Sequence, residues 1–148
     1  MTVQYSVSTG ANSFTAAAHT AIEINPGSSL PAELIAMDVS SSYLTAGTPI
    51  SVLVELVSNT AAGTGTSYTP KKFGQAVGTA TATTKINDTV EPSTPTVVMG
   101  WELVFPAGPW SYQWPLGREY FLGVSTFNAI RVTPSATITL VVNAVFEE

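Results

Sequence analysis

The chain reads as an all-β protein, a two-sheet antiparallel β-sandwich of jelly-roll-like type with about 8–10 strands. Three observations predict it. Apolar residues recur with a period of two, Pro/Gly/Asn turn signals break these runs every 10 to 15 residues or so, and polarity comes from hydroxyls more than charges. Of 148 residues only 10% are charged, while 21 are Thr and 15 are Ser; Thr fits a pleated, half-buried surface.

In chain order, Val3, Tyr5 and Val7 mark a first strand and Ile22 and Ile24 a second, with another expected near 33–39. Ile50, Val52, Val54 and Leu56 form an inward row, with Ser51 and Glu55 outward. Further strands are expected near 79–86, 110–116, 119–122 and 126–133. Val97, Met99, Trp101, Leu103 and Phe105 align on one face while Glu102 points away. At the C-terminus Ile138, Leu140, Val142, Ala144 and Phe146 share a face opposite Thr137, Thr139, Val141, Asn143 and Val145, because successive side chains of an extended chain alternate.

The turns have a mechanism. Asn25-Pro26-Gly27, Ala46-Gly47-Thr48-Pro49, Pro106-Ala107-Gly108-Pro109 and Thr133-Pro134-Ser135 combine a fixed φ with residues that tolerate φ > 0. Residues 63–74 lack clear alternation and read as a long surface connection, with 87–95 as a second loop. Ala16-Ala17-Ala18 is a weak helical signal. No linker or solenoid repeat divides the chain, so 1–148 is expected to be one domain, with 1–18 read either as part of a sheet or as a partly extended arm.

Composition excludes several functions. With no Cys there is no thiol nucleophile or thiolate ligand. A net charge of −5, with five Lys and Arg in all, argues against nucleic acid, whose phosphates require clustered cations. No apolar run approaches the roughly 20 residues of a spanning helix, and 1–24 lacks the pattern of a secretory signal. Asn87-Asp88-Thr89 matches a glycosylation acceptor, read as chance without such a signal.

Catalytic signals are thin. His19 is the sole histidine and can supply one metal ligand at most. No Gly-x-Ser-x-Gly elbow surrounds a serine. Glu23, Glu55 and Glu102 sit on outward strand positions, where a Glu opposite Lys85 or Arg131 makes an ordinary cross-strand pair; a two-carboxylate hydrolase is the competing reading. Gly63-Thr64-Gly65-Thr66 lacks the Lys that a phosphate loop needs. The chain is therefore expected not to be an enzyme, with no catalytic, cofactor-binding or metal-binding residue.

Trp110, Tyr112 and Trp114 alternate and share one face of an extended chain. Such a row fills a core, anchors a protein interface, or stacks on sugar rings. The last possibility makes a carbohydrate-binding module or adhesin-like domain the alternative function.

Several stretches carry a resemblance: Ser51 to Leu56, Asn59-Thr60-Ala61-Ala62-Gly63-Thr64-Gly65-Thr66, Thr69-Pro70-Lys71, Trp114-Pro115-Leu116-Gly117-Arg118-Glu119, Ile130 to Ala136 and Val145-Phe146-Glu147-Glu148. Together with Thr9 to Ala18 they resemble small decoration or cement proteins of tailed bacteriophages, whereas 73–100 departs from that pattern. The resemblance implies a jelly-roll-like fold and a homotrimer. It also implies binding to the major capsid protein on the outer surface of the virion, with no cofactor, membrane or nucleic-acid partner. Within that reading the expected interface residues are Lys71 and Lys72 in the long loop, Trp110, Tyr112 and Trp114 in core or subunit packing, and Arg118 ordering its turn through an acid.

Overall fold

A computed structural model describes residues 3–43, 48–73, 79–106 and 108–148. Thirteen strands are present among them: β1 (Gln4–Ser8), β2 (Asn12–Phe14), β3 (His19–Asn25), β4 (Ala32–Tyr43), β5 (Ile50–Asn59), β6 (Thr64–Tyr68), β7 (Lys71–Lys72), β8 (Thr83–Val90), β9 (Thr96–Phe105), β10 (Trp110–Gln113), β11 (Tyr120–Leu122), β12 (Phe127–Pro134) and β13 (Ile138–Glu147). Their number exceeds the expected 8–10 because β2, β6 and β7 pair alongside β13, β8 and β1 where no strand was expected. The Ala16–Ala18 segment is not helical.

All pairings are antiparallel and form two sheets. The seven-stranded sheet runs β10-β4-β13-β1-β7, with β11 also on β4 and β2 also on β13; the six-stranded sheet runs β6-β8-β3-β12-β5-β9. The long strands β3, β4 and β5 alternate between sheets, as do β11, β12 and β13. That alternation is what a jelly-roll-like sandwich requires. Residues 4–14 lie within the seven-stranded sheet, where β1 and β2 both pair with β13.

The core follows the alternation. Every inward residue of β13 from Ile138 to Phe146 is buried, and so are Val52, Val54 and Leu56 of β5. Ile22, Leu34, Met37, Ile130 and Val132 fill the space between the sheets, while Phe146 stacks on Tyr5 with ring centroids 5.4 Å apart. Burial on this scale supplies the main favourable term in folding.

Two expectations change here. Residues 63–74 are not one loop, because β6 pairs with β8 and β7 pairs with β1. In β9 the register shifts between Leu56 and Val57, so Met99 pairs with Leu56 but Val97 pairs with Val57. The extra residue is a β-bulge. It turns Val97 out of the inward row and leaves Val97 and Val98 both exposed. The turn expected at Ala46-Gly47 lies outside the described residues, as do Gly74 and Ala107.

Candidate functional site

The chain passes from one sheet to the other between β9 and β10, so the last strand of the six-stranded sheet faces the last of the seven-stranded sheet. Inward alternation on β9 aims Trp101 across this open side. Alternation on β10 aims Trp110 and Tyr112 back at it. Trp101 lies 5.4 Å from Trp110 and 4.9 Å from Tyr112, centroid to centroid. Tyr112 meets Trp114 edge-on at 4.9 Å, and Trp114 reaches Tyr120 at 6.5 Å. These are the tilted and T-shaped geometries that ring quadrupoles favour.

The aromatic row is thus a lid on the core. Trp114 is buried, and Trp110 and Tyr112 are half-buried against the core. Their packing on one another and on Trp101 spends ring surface that stacking on a sugar would need. Trp101 belongs to the group as well, and its inward parity in 97–105 was the available signal.

The other expected interface residues are dispersed. Lys71 and Lys72 make β7 at the edge of the seven-stranded sheet, Lys71 exposed and Lys72 half-buried. Arg118 is exposed in the turn after Trp114. Among the described residues it makes no ion pair, contrary to expectation. The turn is held instead by the Arg118 N–H donating to the Pro115 carbonyl at 2.9 Å and the Gly117 N–H donating to Glu119 Oε1 at 2.9 Å.

Exposed apolar side chains include Leu30, Phe73 and Val90 and two further groups. Leu53 on β5 and Val97, Val98 and Val104 on β9 are all exposed, as are Leu116, Phe121 and Val124 along 116–124. Beside β9 an open depression of about 260 Å³ is lined by Leu103, Val104, Phe105, Pro109 and Trp110, with Glu102 at its margin. Sequence reasoning had treated β9 only as a core strand, because alternation says nothing about which strand ends a sheet.

The acids behave differently from simple outward pairs. The expected cross-strand partners do form, with Lys85 Nζ 3.6 Å from Glu23 and Arg131 2.8 Å from Glu55. Glu23, however, is only 1% exposed, because residues 59–65 and 88–93 fold over it. The Gly63 N–H donates to Glu23 Oε1, Asn25 Nδ2 donates to Oε2 at 3.0 Å, and Lys85 Nζ donates to the Gly63 carbonyl at 2.6 Å. Asp88 enters the same space. A Cβ on Gly63 or Gly65 would collide with its carboxyl oxygens, so those glycines are what allow the acid to fit. Burial, then the charge of Glu23 and a side-chain hydrogen bond to it, push the Asp88 carboxyl up to about 8. Neither Asp88 oxygen receives a hydrogen bond from a donor; a protonated Asp88 supplies its own donor toward Glu23.

This cluster has a structural logic. Glu91 beyond it accepts the Thr20 N–H at 2.9 Å, and Thr60 N–H donates to the Ser93 carbonyl at 3.1 Å, both pinning the cover. Among the described residues no group of three or more His, Cys, Asp or Glu side chains is arranged to hold a metal ion. His19 packs on Phe14 and hydrogen-bonds Thr15 through Nε2 at 2.9 Å. No helix of the described chain is long and apolar enough to cross a membrane. Comparison with protein-family models, curated proteins and solved structures finds no match to this chain.

Proposed function

We propose that the chain is a non-enzymatic structural virion protein that decorates and stabilises an assembled bacteriophage capsid, bound to major capsid subunits on the outer surface. The observation that carries the reading is the run of exposed apolar side chains along 116–124, Leu116, Phe121 and Val124, together with a further exposed group on β5 and β9. Contiguous exposed apolar surface on a folded protein marks interaction sites. The 116–124 stretch, with Leu116 98% exposed, suits docking into a groove between shell subunits, and exposed Arg118 beside it can meet an acidic rim. The low-charge hydroxyl surface weakens repulsion between crowded copies, and a protein that binds only the assembled shell stabilises it by mass action.

Electron microscopy of purified particles tests the proposal. Density of this fold should sit on the outer shell, with residues 116–124 against capsid subunits. Particles lacking the chain would end it.

A further inference from the structure

Residues 60–66 close over the Glu23 and Asp88 carboxyls without burying an apolar side chain of their own: Ala61 is exposed, Ala62 is half-buried, and only Gly63 is fully covered. Hydrogen bonds hold the segment. The Gly63 N–H donates to Glu23 Oε1, and Lys85 Nζ to the Gly63 carbonyl at 2.6 Å. Thr89 Oγ1 donates to the Thr64 carbonyl at 3.1 Å, and the Thr60 N–H to the Ser93 carbonyl at 3.1 Å. The strand in this segment, β6, ends the six-stranded sheet, pairs only with β8, and shifts register between Thr64 and Thr66. Segments with few buried apolar contacts open at low free energy while the rest of a fold stays closed.

Beneath the segment the charges do not balance. β3 brings Glu23 and uncharged Asn25, β8 brings Lys85 and Asp88, and the chain just after β8 brings Glu91; residues 60–66 carry no titratable group. Lys85 is divided between Glu23 and the Gly63 carbonyl, and Glu91 accepts from the Thr20 N–H and hydroxyl. Asp88 is left 9% exposed with no donor on either oxygen, where an unpaired charge is costly. Its oxygens lie against Gly63 and Gly65, where an added Cβ would collide with them, so water reaches them once 60–66 moves away. From this geometry we infer that Asp88 is a proton-operated catch: with its proton, 60–66 lies shut over Glu23, and without it the segment lifts from β8 while both sheets otherwise stay paired. Release opens Glu23 and the outer edge of β8 to solvent.

Rising pH drives the release. The Asp88 carboxyl titrates near 3.8 when exposed; shut in, burial and then the charge of Glu23 push it up to about 8. The shut form holds a proton that the lifted form has shed. It is therefore fully favoured below about pH 4 and loses that advantage progressively up to about pH 8. The catch works whether or not the chain docks on a shell.

Amide hydrogen exchange of the purified chain, with each rate divided by the intrinsic rate at that pH, tests the catch. Protection over 60–66 should fall at least about tenfold between pH 5 and 7 and be nearly gone at pH 8.5, where β5 and β13 should stay about a hundredfold better protected. Asp88→Asn should keep 60–66 protected at every pH. Asp88→Ala, which cannot crowd the glycines, takes its place if the amide variant fails to fold. Protection over 60–66 that does not change with pH, that equals the protection of β5 and β13 at pH 8.5, or that falls alike in the neutral variants overturns the inference.

Discussion

Asp88 lies beside Glu23 beneath a backbone cover, wedged where only Gly63 and Gly65 leave room, and its carboxyl is pushed up by burial and by the charge of Glu23. Lys85 reaches the same Glu23 from the neighbouring strand. A protonated acid next to an ion-paired one is a low-dielectric compromise, since two adjacent buried carboxylates repel.

That compromise makes stability depend on pH. The Asp88 carboxyl titrates near 3.8 when exposed and at about 8 in the fold. Between those values the folded chain holds a proton that the unfolded chain has released. The contribution of Asp88 is therefore fully present below about pH 4, falls as pH rises, and is lost above about pH 8. Urea unfolding from pH 5 to 9 should show a decline that is absent, or much reduced, in Asp88→Asn. Equal slopes in the two proteins would refute the assignment.

Gly63→Ala and Gly65→Ala should each destabilise by about 1–3 kcal/mol, the range for overfilling a packed site. Gly100→Ala should change stability little, because its added methyl meets Glu55 Cγ at 3.7 Å, an ordinary contact. Urea midpoints of the three variants check this ordering.

Arg131 Nε and a terminal nitrogen both reach Glu55 Oε2, at 2.9 and 2.8 Å. Hydrogen bonds to charged groups contribute about 1.5–3 kcal/mol, and removing one partner strands the other. Arg131→Met should therefore cost about that much, and adding Glu55→Leu should recover part of it. A double-mutant cycle by chemical denaturation measures the coupling.

Trp114→Ala should cost about 3–5 kcal/mol, as for other buried large aromatics. Tyr112→Ala should cost less, because that ring is half-buried. Titrating oligosaccharides against the wild-type tryptophan fluorescence should leave the spectrum unchanged. A saturable shift would favour sugar binding instead.

Much of the fold was legible in the sequence. The period-two rows of β5 and β13 state both strand and buried face, since a one-residue slip would invert them. The cross-strand partners Lys85 and Arg131 were legible for the same reason. Less legible was anything set by what lies over a sheet. Outward Glu23 is buried by a chain segment distant in sequence, and no local pattern announces that cover; Gly63-Thr64-Gly65 was its one trace. Short β6 and β7 carry Thr, Gly and Lys where strands usually carry apolar residues, and pairing to β8 and β1 overrides that composition. The edge position of β9 is a property of sheet order, which alternation does not encode.

The proposed role, holding a capsid shell together from outside, is tested most directly by heating particles. Phage particles stripped of it and then re-dressed with purified protein should rupture, by DNA release on heating, at a higher temperature than the stripped particles. Leu116→Asp together with Phe121→Asp should erase that gain. Identical rupture temperatures with and without bound wild-type chain would contradict the account.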